Sequence, residues 1–205
     1  MPSRRTAAKG LKRTTATRPE RKTVVIFCEG KASEPDYISA LKRLPAIRAN
    51  TAINIEIAPE WGVPLELVKC AVERSQDDEV DECWCVFDVE WPQNHPNLAP
   101  AIRLAEKHGI RLVISNPCFE LWLILHHERR HAFMSTKDAE RRSRELDGRE
   151  GKRLDADRYM DRRHVAARNA ADLAARHQRD ETAFPHDNPS TNMHELLKAI
   201  EPNSP

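Results

Sequence analysis

Four short apolar runs, each followed by a stretch with helical spacing, constrain this chain more than any other feature of its sequence. Thr23-Val24-Val25-Ile26-Phe27-Cys28 is apolar and largely β-branched, which predicts a strand buried on both faces. It stops at Glu29-Gly30, a turn. Ser33 then stands where a helix cap belongs, Pro35 suits a first turn, and Tyr37, Ile38, Leu41 and Leu44 recur at helical spacing until Pro45 closes the helix. Ile53-Asn54-Ile55-Glu56-Ile57 alternates strictly, as a half-exposed strand does. Leu65, Val68, Ala71 and Val72 mark a second helix behind Pro64. Cys83-Trp84-Cys85-Val86-Phe87 is a third strand ending at Asp88, and its alternation sends Trp84 to the face opposite Cys83 and Cys85. Leu98 to His108 reads as a helix closed by Gly109, Ile110 to Ile114 as a fourth strand, and Phe119 to His127 as an apolar helix. Strict alternation with short connections predicts an α/β fold, a mostly parallel sheet with helices on both faces.

From about residue 135 the strand signals stop. Segments 136–147, 155–180 and 190–200 are charged, rich in Ala and Arg, and helical in pattern, with Ser190 as the cap of the last. The expected organisation is a basic leader over 1–22, an α/β domain over 23–130, and a helical C-terminal extension over 131–205. The net charge of +1 conceals a split: residues 1–22 hold eight basic side chains and one acid, leaving 25 bases against 31 acids in the rest. Arms of this kind contact phosphates, which makes Arg4, Arg5, Lys9, Lys12 and Arg13 candidate nucleic-acid contacts, with Lys31 beyond the first strand. The plain alternative is a solvated leader. No apolar run approaches the roughly 18 residues of a membrane helix, and the N-terminus has no apolar segment of the signal-peptide kind. The five cysteines are odd in number, and three sit in strand-like runs, which fits a cytoplasmic protein with reduced thiols.

Ligands of open α/β sheets bind outside the carboxyl ends of the strands, so the residues just after each apolar run matter most. Glu29 follows the first, Glu60 lies near the end of the second, Asp88 and Glu90 follow the third, and Asn116 and Glu120 follow the fourth. Acids gathered at one sheet edge repel one another unless a cation neutralises them. An all-oxygen site with two or three carboxylates suits Mg²⁺ or Mn²⁺, which keep water and accept phosphate oxygens.

Glu29-Gly30 after a first strand, with Asp88-Val89-Glu90 after a third, resembles the Toprim pattern, the metal-binding domain of topoisomerases, bacterial primases and related nucleases. Phe27-Cys28-Glu29-Gly30 with Glu34-Pro35-Asp36-Tyr37, then Ser115-Asn116-Pro117-Cys118-Phe119-Glu120-Leu121-Trp122-Leu123, and Asn188-Pro189-Ser190-Thr191 resemble the RloB-like family. Those are small bacterial proteins of restriction-linked and phage-defence loci, often encoded beside an AAA-type ATPase. The resemblance spans about residues 23–200. It implies that Glu29 acts as general base or metal ligand, that Asp88 and Glu90 hold the ion with it, and that Glu120 is a second catalytic candidate. Glu90 stands where the Toprim pattern usually has Asp, and its extra methylene moves the carboxylate by about 1.5 Å. Tyr37 and Tyr159, the two tyrosines, lack the context of a topoisomerase nucleophile, so water is the simpler attacking group.

His127-Glu128-Arg129-Arg130-His131 matches the H-E-x-x-H zinc pattern, but two Arg occupy its interior and the segment lies where apolar sequence gives way to charge. Asn116 is a candidate cap for the apolar helix after Pro117. The loop Trp91 to Pro96 lies beside the acids, with His95 as a candidate proton donor. The Arg-rich run from Arg141 to Arg168 is interleaved with acids, and one stripe of it facing the acidic edge would hold a phosphate backbone. The expected function is Mg²⁺-dependent cleavage of phosphodiester bonds in an anti-phage system. The rival is a non-catalytic defence subunit that binds nucleic acid or the ATPase. Nucleic acid and a nearby AAA-type ATPase are the expected partners, a homo-oligomer is allowed for, and no membrane is involved.

Overall fold

The computed structural model describes residues 21–57, 63–95, 97–151 and 153–202. Its centre is a five-stranded sheet in the order β2-β1-β3-β4-β5. β1 (Lys22–Cys28), β2 (Thr51–Ile57), β3 (Glu82–Asp88) and β4 (Arg111–Asn116) run parallel, while β5 (Ser190–Thr191) pairs antiparallel with β4. The alternation of β1 explains why its whole run is apolar. Val24, Ile26 and Cys28 enter one core cluster, and Val25 and Phe27 enter another on the opposite face. β3 divides the same way, with Trp84 in the first cluster and Cys83 and Cys85 in the second, as its alternation predicts.

Helices cover both faces. α3 (Pro64–Arg74) and α4 (Leu98–His108) close the second cluster through Leu67, Val68, Ala71, Ala101 and Ala105. Gly109 ends α4 at φ 69°, a left-handed conformation that glycine adopts without a Cβ penalty. α1 (Ser33–Arg43) covers the first face with Tyr37, Ile38 and Leu41. Beside it lies α5 (Glu120–Leu125), buried from Leu121 through Leu125. A helix apolar all round belongs inside, and each such side chain contributes about 1.5–3 kcal/mol by leaving water. α6 (Thr136–Asp147) and α8 (Arg163–Arg179) pack against it.

Several local expectations are corrected. Ser33 is the first residue of α1 rather than its cap, a position held by Ala32. α1 stops before Pro45 as expected, but Pro45 also opens a second helix, α2 (Pro45–Asn50), where a missing N–H costs nothing. The long helix expected over 155–180 is split into α7 (Asp157–Met160) and α8. Ser190 belongs to β5 and is no cap, and Asn192 holds the cap position of α9 (Met193–Ile200). The strand signal thus resumes beyond residue 135, in a strand too short to show periodicity.

The C-terminal segment is built into the sheet. The Asn192 side chain accepts from the Ile114 N–H at 2.8 Å and donates to the Leu112 carbonyl at 2.8 Å, extending the ladder where β5 has ended. Met193, Leu196, Leu197 and Ile200 of α9 belong to the first core cluster, and the Thr51 hydroxyl donates to the Ile200 carbonyl at 3.0 Å. At the other end, Lys22, the last residue assigned to the leader, begins β1 and pairs with Glu82 at 2.7 Å. Among the described residues no helix is long and apolar enough to cross a membrane.

Candidate functional site

The chain leaves β1 toward β2 on one side and leaves β3 toward β4 on the other. The carboxyl ends of β1 and β3 therefore border the crevice where an open α/β sheet binds ligands. A pocket of about 240 Å³ opens there, lined by Glu29, Glu34, Asp88, Glu90, Glu120, Arg144 and Arg149 among others. Lys31, an exposed residue, also borders it. The fold thus brings Glu29, Asp88, Glu90 and Glu120, the four acids expected from their positions after strands, to one pocket. Arg4, Arg5, Lys9, Lys12, Arg13 and Glu60 lie outside the described residues.

Each acid is held by its element. Glu29 continues β1, its N–H donating to the Val86 carbonyl at 3.1 Å. Its carboxylate accepts from the Asp88 N–H at 3.4 Å and lies 3.0 Å from His95 Nε2. Glu34 sits in the first turn of α1 and folds back over Gly30, where a Cβ would collide with its carboxylate. Glycine there is what lets the carboxylate into the pocket. Glu120 opens α5, 3.4 Å from the Ser33 hydroxyl and 3.6 Å from the Arg149 guanidinium. Arg149 also bonds the Ser143 hydroxyl at 2.9 Å and pairs with Asp147. Glu90 is exposed and held at φ 60°, with its N–H donating to the Pro117 carbonyl at 2.8 Å. A non-glycine residue in that region carries strain of about 1–3 kcal/mol, the kind stored at functional sites.

Asp88 is the hub. The residue as a whole is partly exposed, yet its Oδ1 is buried and meets no hydrogen-bond partner. Burial, reinforced by the charges of Glu34, Glu120, Glu29 and Glu90, pushes its carboxyl well above the usual range. Burial likewise raises Glu29 to about 7, with Glu90 adding to the rise and the Asp88 N–H opposing it. Glu34 also rises to about 7, through burial and through Glu120 and Glu29. Even the Cys118 thiol is pushed up by burial and by the charges of Asp88 and Glu120. Such a set either holds protons or takes a cation. Among the described residues no three His, Cys, Asp or Glu side chains already stand in a ligating arrangement. The donor set is nevertheless all oxygen, includes one orphaned buried oxygen, and suits a hard divalent cation that keeps part of its water shell.

A family model described as RloB-like protein matches residues 24–200. The chain belongs to the RloB-like family. No curated protein and no solved structure gave a match. The match runs from Val24, the first buried residue of β1, to the end of α9, so it takes in every acid of the pocket and the C-terminal strand and helix.

Two residues of this RloB-like site escaped the sequence reading as site members. Glu34 enters the sequence reading only as part of the Glu34-Pro35-Asp36-Tyr37 motif, and the Gly30 contact shows where its side chain goes. Arg149 was one of ten cations in a run, yet its side chain is 9% exposed and lies between Glu120 and Asp147. The H-E-x-x-H helix does not form: α5 ends at Leu125, and residues 128–131 are not helical. Glu128 is taken by Arg142 through two hydrogen bonds of 3.1 and 2.6 Å. Asn116 does not cap α5, because its amide donates to the Pro185 carbonyl and to Asp187, each at 3.0 Å. Tyr37 and Tyr159 are both buried. The Tyr37 hydroxyl donates to His126 Nε2 at 3.0 Å, because His126 Nδ1 must donate to the Trp122 carbonyl at 2.8 Å. Burial lowers His126 to about 3, so this neutral ring is packing rather than acid–base machinery.

Proposed function

We propose that this RloB-like protein is a Mg²⁺- or Mn²⁺-dependent enzyme that cleaves phosphodiester bonds within a bacterial anti-phage or restriction-linked system. The observation that carries the reading is the orphaned Asp88 Oδ1 at the hub of four glutamates, at the junction of β1 and β3. Glu29, Asp88 and Glu90 are the residues that would hold the ion, as in the Toprim pattern. The ion would neutralise charge developing on a transferred phosphoryl group. Where Asp88 and Glu90 alone carry the ion, Glu29, with His95 3.0 Å from its carboxylate, would instead accept a proton from an attacking water. Arg149, with Arg144 beside it on the pocket wall, supplies cationic donors for phosphate oxygens. The defence context and an ATPase partner rest on the family resemblance.

Thermal melts and cleavage assays test the reading together. A bound ion at a hundredfold excess over Kd stabilises by about 2.7 kcal/mol, several degrees in a melt. Asp88→Asn puts a neutral amide where burial and four glutamates make a carboxylate costly to ionise, so it is expected to keep or raise the melting temperature without metal. It is also expected to abolish the Mg²⁺-induced shift and any cleavage. Should Asp88→Asn unfold the metal-free protein while Mg²⁺ leaves the parent melt unmoved, the carboxylate is structural. The protein would then be read as a non-catalytic binding subunit.

A further inference from the structure

Beside the acidic pocket two large aromatic side chains stand out in solvent. Trp91 is 43% exposed and Phe133 57% exposed, and their rings meet edge to face with centroids 5.4 Å apart. The pair is fastened to the pocket wall. Trp91 follows Glu90 directly, its N–H donates to the Thr136 hydroxyl at 2.9 Å, and its carbonyl accepts from the Thr136 N–H at 3.4 Å. Glu90 and Thr136 both line the acidic pocket. On its other flank, Phe133 borders a second depression with Arg130, Arg141 and Arg142. Arg130 Nε is buried and without a partner there. Arg141 pairs with Asp138 and Glu145 across exposed surface, and such pairs are weak enough to yield to phosphate.

Resting on the cleavage reading of the pocket, we propose that Trp91 and Phe133 form a stacking platform for unpaired bases, so that the substrate is a single-stranded or looped nucleic acid. Several features favour a base over other occupants. Thr136 fixes the Trp91 backbone through both of its bonds, and the edge-to-face contact sets the two rings against each other. They adjoin the pocket proposed to handle phosphates, and arginines flank them. Ring faces meet only bases that have left a duplex stack, and every base offers a π-face. Duplex DNA would find here phosphate contacts alone.

The test is fluorescence anisotropy with three labelled probes of equal length, with and without Mg²⁺: a single-stranded oligonucleotide, its duplex, and an abasic strand with the same backbone. Single-stranded DNA and RNA versions distinguish the two sources of unpaired bases. Wild type is expected to prefer the single strand over both other probes. Trp91→Ala/Phe133→Ala is expected to lose about five- to a hundredfold in affinity for the single strand, down to the abasic level. Trp91→Phe should restore part of it. An unchanged affinity in the double variant, or equal binding of all three probes by wild type, overturns the platform. A Mg²⁺-induced melting shift intact in the double variant separates this site from the acid cluster. Conversely, wild type that discriminates single strands but never responds to Mg²⁺ keeps the platform and defeats the cleavage reading.

Discussion

A carboxylate oxygen that is buried and meets no donor, as Asp88 Oδ1 is, resists ionisation, and its glutamate neighbours share the strain. Glu29 and Glu34 both rise from 4.5 to about 7, so the folded state keeps protons that the unfolded state gives up. Stability due to these two groups is present below the ordinary carboxylate range and is lost as pH rises toward 7, at no more than about 1.4 kcal/mol per group per pH unit. Burial lowers His126 to about 3, which works in the opposite direction over part of the same window. A single melting profile would blend the two. The Mg²⁺-induced shift isolates the carboxylates, because only deprotonated oxygens take the ion. That shift is expected to be small at pH 5 and full by about pH 7.5, read as the difference between melts in Mg²⁺ and in chelator. An equal shift at both pH values would mean that ordinary surface carboxylates bind the ion. Glu29, Asp88, Glu90 and Glu120 were legible from their places after strands. Glu34 was not, because its burial is a property of the Gly30 contact and not of its own position in a helix.

At the scale of elements, the turn between β1 and α1 works through close approach. A Cβ at Gly30 meets the far end of the Glu34 side chain, which can swing aside. Gly30→Ala is therefore expected to cost about 1–3 kcal/mol, the usual range for overpacking. Most of that cost should vanish in a Glu34→Ala background. Chemical denaturation of the four proteins of that cycle measures it. Additive effects, within about 0.5 kcal/mol, would show that the turn and the glutamate are independent. Elements marked by strong punctuation were readable in advance: α3 behind Pro64 and α4 before Gly109. Pro45 marked the end of α1 but not the start of α2, because proline both stops one helix and starts the next. β5 was invisible because two residues carry no period, and its place is set by contacts far away in the chain, such as Ser115 with Thr191, 76 residues on, at 3.0 Å between hydroxyls.

For the whole molecule, residues assigned to the α/β domain and to the extension share one sheet and one core cluster. A chain ending at residue 180 lacks β5 and α9 and leaves part of the first cluster open. It is expected to melt many degrees lower or to fail to fold, with self-association visible in size-exclusion chromatography. A monomeric truncated protein with an unchanged melt would show that the extension is dispensable to the fold. The parallel sheet could be inferred from four apolar runs, whereas the closing of its far side depends on side chains reaching across. Asn188 donates to the Asn116 side chain at 3.1 Å and to the Met134 carbonyl at 2.9 Å. Asn192, bridging Leu112 and Ile114, has one more effect. An open β-edge invites strands from other molecules, and the amide fills donor and acceptor positions that a foreign strand would need. Along this stretch of β4, one asparagine side chain thus takes up the pairing groups through which another molecule's strand could otherwise add to the sheet.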